Sequence, residues 1–119
     1  MEIVCNQIEL NNAIQLVSKA VAGKPTHPIL ANILVTADQV TKRVSLTGFD
    51  LNLGIQTSFN ASVNKSGAIT IPSKLFLEIV NKLPIESPIT ISVDDSSDNI
   101  FLKSERGSFN LKGIPSDDY

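Results

Sequence analysis

One pattern of hydrophobic periodicity occurs twice in this sequence, and each copy predicts a strand, a helix and three further strands. Apolar side chains at helical spacing occur over residues 10–21 and again over residues 75–83. The strand patterns that follow also match, since residues 33–47 have the same alternation as residues 89–103. An internal repeat of roughly 55 residues indicates two copies of one structural unit. We therefore predict an α+β fold of two β-α-β-β-β pseudo-repeats, with both helices side by side on one face of an antiparallel sheet.

The boundaries of the predicted elements follow from changes of period along the chain. The first strand covers residues 1–8, and the first helix ends at Gly23, because glycine can end a helix in the left-handed conformation. The second helix opens at Pro72, with Ser73 as a possible cap, and ends at Pro84. The remaining strands are predicted at residues 29–37, 44–47, 51–59, 68–71, 89–93, 100–104 and 109–114.

The composition bounds the chemistry that the chain supports. With 119 residues the chain has the size of one domain. Its single cysteine excludes an internal disulfide, and one cysteine with one histidine cannot build a zinc site. The sequence has no Ser/His/Asp set, Gly-rich phosphate loop or supported carboxylate pair, so we predict neither a catalytic site nor a cofactor. The N-terminus lacks a basic region before an apolar run, so we expect a cytoplasmic protein without a membrane segment.

The connector at residues 22–32 joins the first helix to the next strand and contains two prolines. Each proline pushes the residue before it toward extended backbone, so the connector is stiff. It therefore presents Lys24 at a defined place just beyond a helix C-terminus. A cation there also stabilises the helix through its macrodipole, which is the simpler explanation of this lysine. His27 in the same connector is interpreted as a turn residue and not as a metal ligand.

Four motifs in order make the sequence resemble the bacterial sliding clamp family, the β subunit of DNA polymerase III. The first, Gly-Lys-Pro-Thr-His-Pro-Ile-Leu-Ala-Asn at residues 23–32, is similar to the family signature, with lysine where arginine is usual. The others are Leu-Thr-Gly-Phe-Asp-Leu at residues 46–51, Ile-Pro-Ser-Lys-Leu-Phe at 71–76, and Phe-Asn-Leu at 109–111 followed by Ile-Pro at 114–115. The resemblance extends over residues 1–119 and covers the first of the family's three homologous domains.

This resemblance implies the DNA clamp fold and a part in DNA replication. Two three-domain chains would form a head-to-tail homodimeric ring that slides on duplex DNA without sequence preference and tethers the polymerase. Helices would line the pore, and sheets would form the outer wall. The clamp loader and DNA polymerases would dock on later domains, so we expect residues 1–119 to be the N-terminal domain of a longer protein. Such a subunit is non-catalytic, and any nucleotidyltransferase activity belongs to the polymerase holoenzyme.

The resemblance also places cations against DNA. Lys24 and Lys74 align with family arginines that contact DNA, and Lys19 and Lys82 lie on the polar faces of the predicted helices. A cation at the start of a helix opposes the macrodipole, so helix stability does not explain Lys74. Ordinary solvated lysines are the alternative, above all for Lys19 and Lys82. The net charge of −2 fits a ring that surrounds DNA with few contacts, because a protein that grips DNA by charge is usually strongly basic.

The last predicted strand carries the expected dimer contact. Its family position makes it the free edge of the domain, which would pair with the third domain of the other chain through Phe109 and Leu111. Arg106 and Lys103 would form ion pairs across the same seam. Alternation alone leaves open that Phe109 and Leu111 are core residues of this domain.

Two other functional interpretations remain open at the level of sequence. A stand-alone interaction domain would pair its sheet edges with protein partners and never contact DNA. An enzyme would need a site such as the acidic cluster of Asp94, Asp95 and Asp98. The spacing of these aspartates fits no calcium loop, so an acidic hairpin turn is the better interpretation.

Overall fold

The computed structural model describes residues 1–21 and 28–119. Within these ranges the chain forms two α-helices and nine strands, with short 3₁₀ turns at Pro28–Ala31 and Ser116–Asp118. In chain order the elements are β1 (Glu2–Cys5), α1 (Gln7–Ser18), β2 (Asn32–Asp38), β3 (Arg43–Phe49), β4 (Gly54–Asn60), β5 (Ser62–Lys65), β6 (Gly67–Pro72), α2 (Ser73–Lys82), β7 (Ile89–Asp94), β8 (Asn99–Ser104) and β9 (Gly107–Lys112).

The strands form two antiparallel sheets, with orders β5-β1-β7-β8-β9 and β4-β3-β2-β6. The predicted α+β pseudo-repeat is confirmed, since β1-α1-β2-β3-β4 is followed by β6-α2-β7-β8-β9. The first strand of each repeat pairs with the strands of the other repeat, β1 with β7 and β6 with β2. This exchange, the division into two sheets and the additional strand β5 were not predicted, because periodicity identifies a strand and not its partner.

Helix α1 begins earlier than predicted. Its N-cap is Asn6, whose side-chain Oδ1 accepts hydrogen bonds from the amides of Ile8 at 2.8 Å and Glu9 at 3.2 Å. Such a cap satisfies two of the backbone donors that a helix leaves free at its start. The first strand therefore ends at Cys5, and the predicted strand over residues 1–8 was too long.

The two helices run antiparallel and are hydrogen-bonded at both ends. Near one end the buried Gln7 side chain donates from Nε2 to the Val80 carbonyl at 2.9 Å. At the other end the Oγ atoms of Ser18 and Ser73 lie 3.2 Å apart. The Ser18 hydroxyl donates to the Ile14 carbonyl, so Ser73 is the donor in the pair. Ser73 makes no cap, contrary to the prediction, because Pro72 is the N-cap residue and Ser73 is already the first residue of the helix.

The apolar stripe of α2 is buried as predicted except at its first position, Leu75. Phe76 is fully buried at its centre, with Ile79 and Val80 also in the core, but Leu75 is 42% exposed. Leu77 packs partly against the core instead. Including Leu75 in the stripe was therefore wrong, because an i, i+3, i+4 pattern centred on Phe76 turns position 75 toward solvent.

Two predicted strands begin later in the structure. Residues 28–31 form a 3₁₀ turn, so β2 starts at Asn32 and not at residue 29. Residues 50–53 form a tight turn in which the Asp50 carboxylate accepts from the amides of Asn52 and Leu53 at 2.9 and 2.7 Å. The bonds from Leu53 and Asn52 hold the pKa of Asp50 below its usual value. Asp50 therefore closes this turn, and β4 begins at Gly54.

Candidate functional site

Lysines lie at exposed positions on and beside the two helices. Lys74 is the second residue of α2 and Lys82 is its last, while Lys19 directly follows α1. All three side chains are exposed. Since Ser18 contacts Ser73, the antiparallel helices bring Lys19 and Lys74 to the same end of the pair. Residues far apart in sequence thus supply two cations at one end, with Lys82 at the other.

The charges of these three lysines are available to a ligand. Both ion pairs found in the described part of the chain involve Asp95, which contacts Lys65 at 3.0 Å and the Met1 amino group at 3.7 Å. The helices also carry exposed carboxylates at Glu9 and Glu78. The described helix surface is therefore mixed in charge with a small positive excess. Lys24 and His27 lie outside the described residues.

Strand β9 forms one edge of the five-stranded sheet, where it pairs with β8 alone among the described strands. Leu111 is 7% exposed and belongs to the core, and Phe109 packs partly against it. Of the two sequence interpretations of these side chains, their burial favours core residues of this domain. The strand's outward side chains are those of Ser108, Asn110 and Lys112.

The two cations assigned to the same seam lie at one end of this edge. Lys103 is exposed on β8, where it is opposite Ser108 of β9. Arg106 is exposed in the two-residue turn between β8 and β9, and its amide donates to the Ser104 hydroxyl at 3.3 Å. The edge therefore combines main-chain hydrogen-bonding groups with a turn region that carries Lys103, Arg106 and the exposed carboxylate of Glu105.

The acidic cluster lies in the β7–β8 turn, as predicted. Ser96 donates to the Asp94 carboxylate from its hydroxyl at 2.8 Å and from its amide at 3.1 Å, which holds the pKa of Asp94 below its usual value. The neighbouring Asp95 is held by Lys65. Over residues 1–21 and 28–119, no three His, Cys, Asp or Glu side chains are grouped to hold a metal ion.

The single thiol is poorly suited to nucleophilic chemistry. Cys5 is 6% exposed at the end of β1. Burial, with a smaller contribution from the nearby charge of Glu9, raises its pKa to about 12. Because the thiolate is the reactive form, Cys5 is a packing residue. No helix in the described ranges is long and apolar enough to cross a bilayer.

Sequence reasoning missed an apolar patch beside the β3–β4 turn. Its cavity of about 490 Å³ is lined by Pro28, Ile29, Leu30, Phe49, Leu51, Ile114 and Tyr119. Residues 51–53 were predicted to belong to a strand, whose alternation would have half-buried their leucines. The Gly-Phe-Asp triplet at residues 48–50 was the available signal, since Asp favours a turn closed by its own carboxylate.

Comparisons with known proteins agree on one family. Residues 1–119 match the family of the DNA polymerase III beta subunit, N-terminal domain. The chain is 49% identical over 119 residues to the beta sliding clamp of Synechococcus elongatus strain PCC 7942, covering all of this chain and 31% of that protein. It is 44% identical over 124 residues to the beta sliding clamp of Synechocystis sp. strain PCC 6803, covering all of this chain and 32% of that protein.

Solved structures give the same result for the fold. A DnaN sliding clamp from Bartonella birtlesii bound to griselimycin matches with a TM-score of 0.92 and 34% identity, covering 100% of this chain and 31% of that one. The DNA polymerase sliding clamp of Caulobacter crescentus matches with a TM-score of 0.92 and 30% identity, covering 100% of this chain and 32% of that one. The chain thus spans about a third of the length of these relatives. It belongs to the DNA polymerase III beta subunit family and corresponds to that family's N-terminal domain.

Proposed function

We propose that this chain is the first of three homologous domains of a cytoplasmic sliding clamp, the processivity factor of a replicative DNA polymerase. Two such polypeptides form a head-to-tail ring around duplex DNA, and the ring slides while it tethers the polymerase. The family match over residues 1–119 and the one-third coverage of relatives named beta sliding clamp support this proposal. The observation that carries the DNA-facing role is the exposed helix pair with Lys19 and Lys74 at one end.

The charge distribution suits a ring that retains DNA by topology. Each neutralised phosphate steepens the plot of log K against log salt by about 0.9, so a few lysines give weak, reversible contacts. With a net charge of −2, the chain as a whole does not attract DNA strongly. Sequence independence follows, because contacts to phosphates carry no base information. The domain itself catalyses nothing in this proposal, and the clamp loader and polymerases dock on later domains.

The helix lysines provide the first test of this proposal. We expect the triple change Lys19→Gln, Lys74→Gln and Lys82→Gln to weaken DNA binding and to reduce the slope of log K against log salt by at least about 2. The measurement is fluorescence anisotropy of a labelled duplex with the full-length polypeptide at several salt concentrations.

Lys65 provides the matched control for the helix lysines. It is also solvent-exposed but lies on β5, where it pairs with Asp95. Lys65→Gln should leave the salt slope unchanged. If the triple variant keeps the wild-type slope, or if Lys65→Gln reduces it as much, the assignment of the helix face to DNA is wrong.

The edge strand β9 is proposed to pair with an edge strand of the other chain. Ser104 and Gly107 close the two-residue hairpin between β8 and β9, so every second residue from Gly107 hydrogen-bonds to β8. Ser108 and Asn110 therefore direct their main-chain groups away from the sheet. In this arrangement Leu111 anchors β9 in the core, Phe109 adds its exposed part to the seam, and Arg106 and Lys103 meet carboxylates of the partner.

A proline on this edge tests the pairing. We expect Asn110→Pro to weaken dimerisation of the full-length polypeptide at least about tenfold, because proline removes one outward N–H and obstructs an added strand. The dissociation constant is measured by sedimentation velocity, with circular dichroism to verify the fold. Asn110→Thr, which keeps the N–H, should dimerise normally. A fully dimeric Asn110→Pro protein would favour the alternative that β9 contacts no second chain.

A further inference from the structure

The turn between β3 and β4 holds two leucines in the solvent. Leu51 is 59% exposed and Leu53 is 50% exposed. The turn is closed by Asp50, whose carboxylate accepts from the Asn52 and Leu53 amides and whose own amide donates to the Leu53 carbonyl at 3.1 Å. Leu51 has a φ of 82°, a backbone conformation that a bulky side chain rarely adopts. A well-bonded turn thus keeps apolar side chains outward against a conformational cost.

The C-terminal segment forms the other wall of the same patch. Ile114 is fixed to β6, since its amide and carbonyl bond reciprocally with Thr70 at 3.1 and 3.0 Å. The Tyr119 hydroxyl lies 2.9 Å from the Thr47 carbonyl, to which it donates. Tyr119 and Leu51 therefore line one cavity, and the polypeptide reaches the patch at residue 119.

We infer that this apolar patch is the docking site of the polypeptide that follows residue 119, namely the second domain of the clamp. The inference rests on the proposed function, since relatives about three times as long supply the expected occupant. A domain joined at Tyr119 starts within the patch, so its effective local concentration there is high. The described residues that line the cavity carry no charge, so the docking surface of the second domain is apolar.

The patch has a direct test in the full-length polypeptide. The double change Leu51→Asn and Leu53→Asn removes both apolar side chains, and asparagine tolerates the positive φ at position 51. We expect limited proteolysis at the junction after residue 119 to become at least about fivefold faster. The control is Val40→Asn in the β2–β3 turn, at the opposite end of β3, because Val40 is 90% exposed. This control should leave the cleavage rate unchanged.

Hydrogen exchange provides a second measurement on the same residues. Amides of residues 49–53 should exchange at least about tenfold more slowly in the full-length polypeptide than in residues 1–119 alone, and the double variant should lose this protection. Equal exchange in both chains, unchanged junction cleavage, or protection that depends on protein concentration would overturn the inference. The last outcome would identify a second copy as the occupant.

The outcomes for the patch are separable from those for DNA binding. Protection of the turn with no salt-dependent DNA contact would refute the proposed DNA-facing surface and leave the docking patch standing. A normal salt slope with an unprotected turn would refute the patch alone.

Discussion

Gly48→Ala is expected to destabilise the domain by about 3 kcal/mol or more, at or above the upper end of the range for overpacking a core. A Cβ at position 48 would lie 2.2 Å from the carbonyl oxygen of Val17 and 3.1 Å from its carbonyl carbon. Both atoms belong to the backbone of α1, so no side-chain rotation relieves the clash. The helix must move away from β3 or the variant must unfold.

Urea unfolding followed by circular dichroism measures this change. The matched control is Gly107→Ala at the start of β9, where the nearest atom to the new Cβ is 3.8 Å away in Phe109. That change should alter the free energy of unfolding by less than about 0.5 kcal/mol. If the two alanine variants are equally stable, α1 does not lie against β3 as closely as described. The prediction also bears on function, because the position of α1 sets that of Lys19.

Phe76→Ala is expected to cost about 3–5 kcal/mol, the range for removing a buried aromatic side chain. Phe76 is fully buried in α2 and is among the largest such side chains in the described ranges. Its removal leaves a cavity between α2 and the core that the surrounding strands cannot fill. Thermal and urea unfolding of the purified variant provide the measurement.

The neighbouring residue gives the control for Phe76. Leu75 is 42% exposed, so Leu75→Ala should cost less than about 1 kcal/mol. The sequence pattern alone placed both residues in the apolar stripe and so does not distinguish them. A large loss for Leu75→Ala with a small one for Phe76→Ala would show that α2 is rotated from the orientation described here.

The error at Leu75 shows that the spacing of apolar residues does not by itself fix the rotation of a helix about its axis. Positions 75, 76, 79, 80 and 83 are all apolar, and such a set fits more than one rotation about the helix axis. The choice is made by packing, since Phe76 fills the space beneath the helix and the hydroxyls of Ser73 and Ser18 hold the two helices together. Neither contact is visible at short sequence distance.

The candidate site also combines features that follow from the sequence with features that depend on packing. Individual lysines, the edge strand and the Asp50 turn were predictable, because each depends on residue type and local spacing. The location of Lys19 and Lys74 at the same end of the helix pair depends on antiparallel packing. The role of Leu111 in the core depends on which way β9 faces. The outward leucines beside Tyr119 depend on a positive φ that no sequence period indicates.

The sequence by itself determined the repeated unit, its two helices, most of its strands and the family to which it belongs, because periodicity and motif order are properties of neighbouring residues. Tertiary structure alone decided that β1 and β6 exchange between the repeats and that the strands divide into two sheets. It also decided that residues 28–30 and the C-terminal segment meet the β3–β4 turn in one apolar patch. These features are set by pairings between residues far apart in the chain. Such pairings depend on which sheet edges and helix faces remain uncovered once the core has packed.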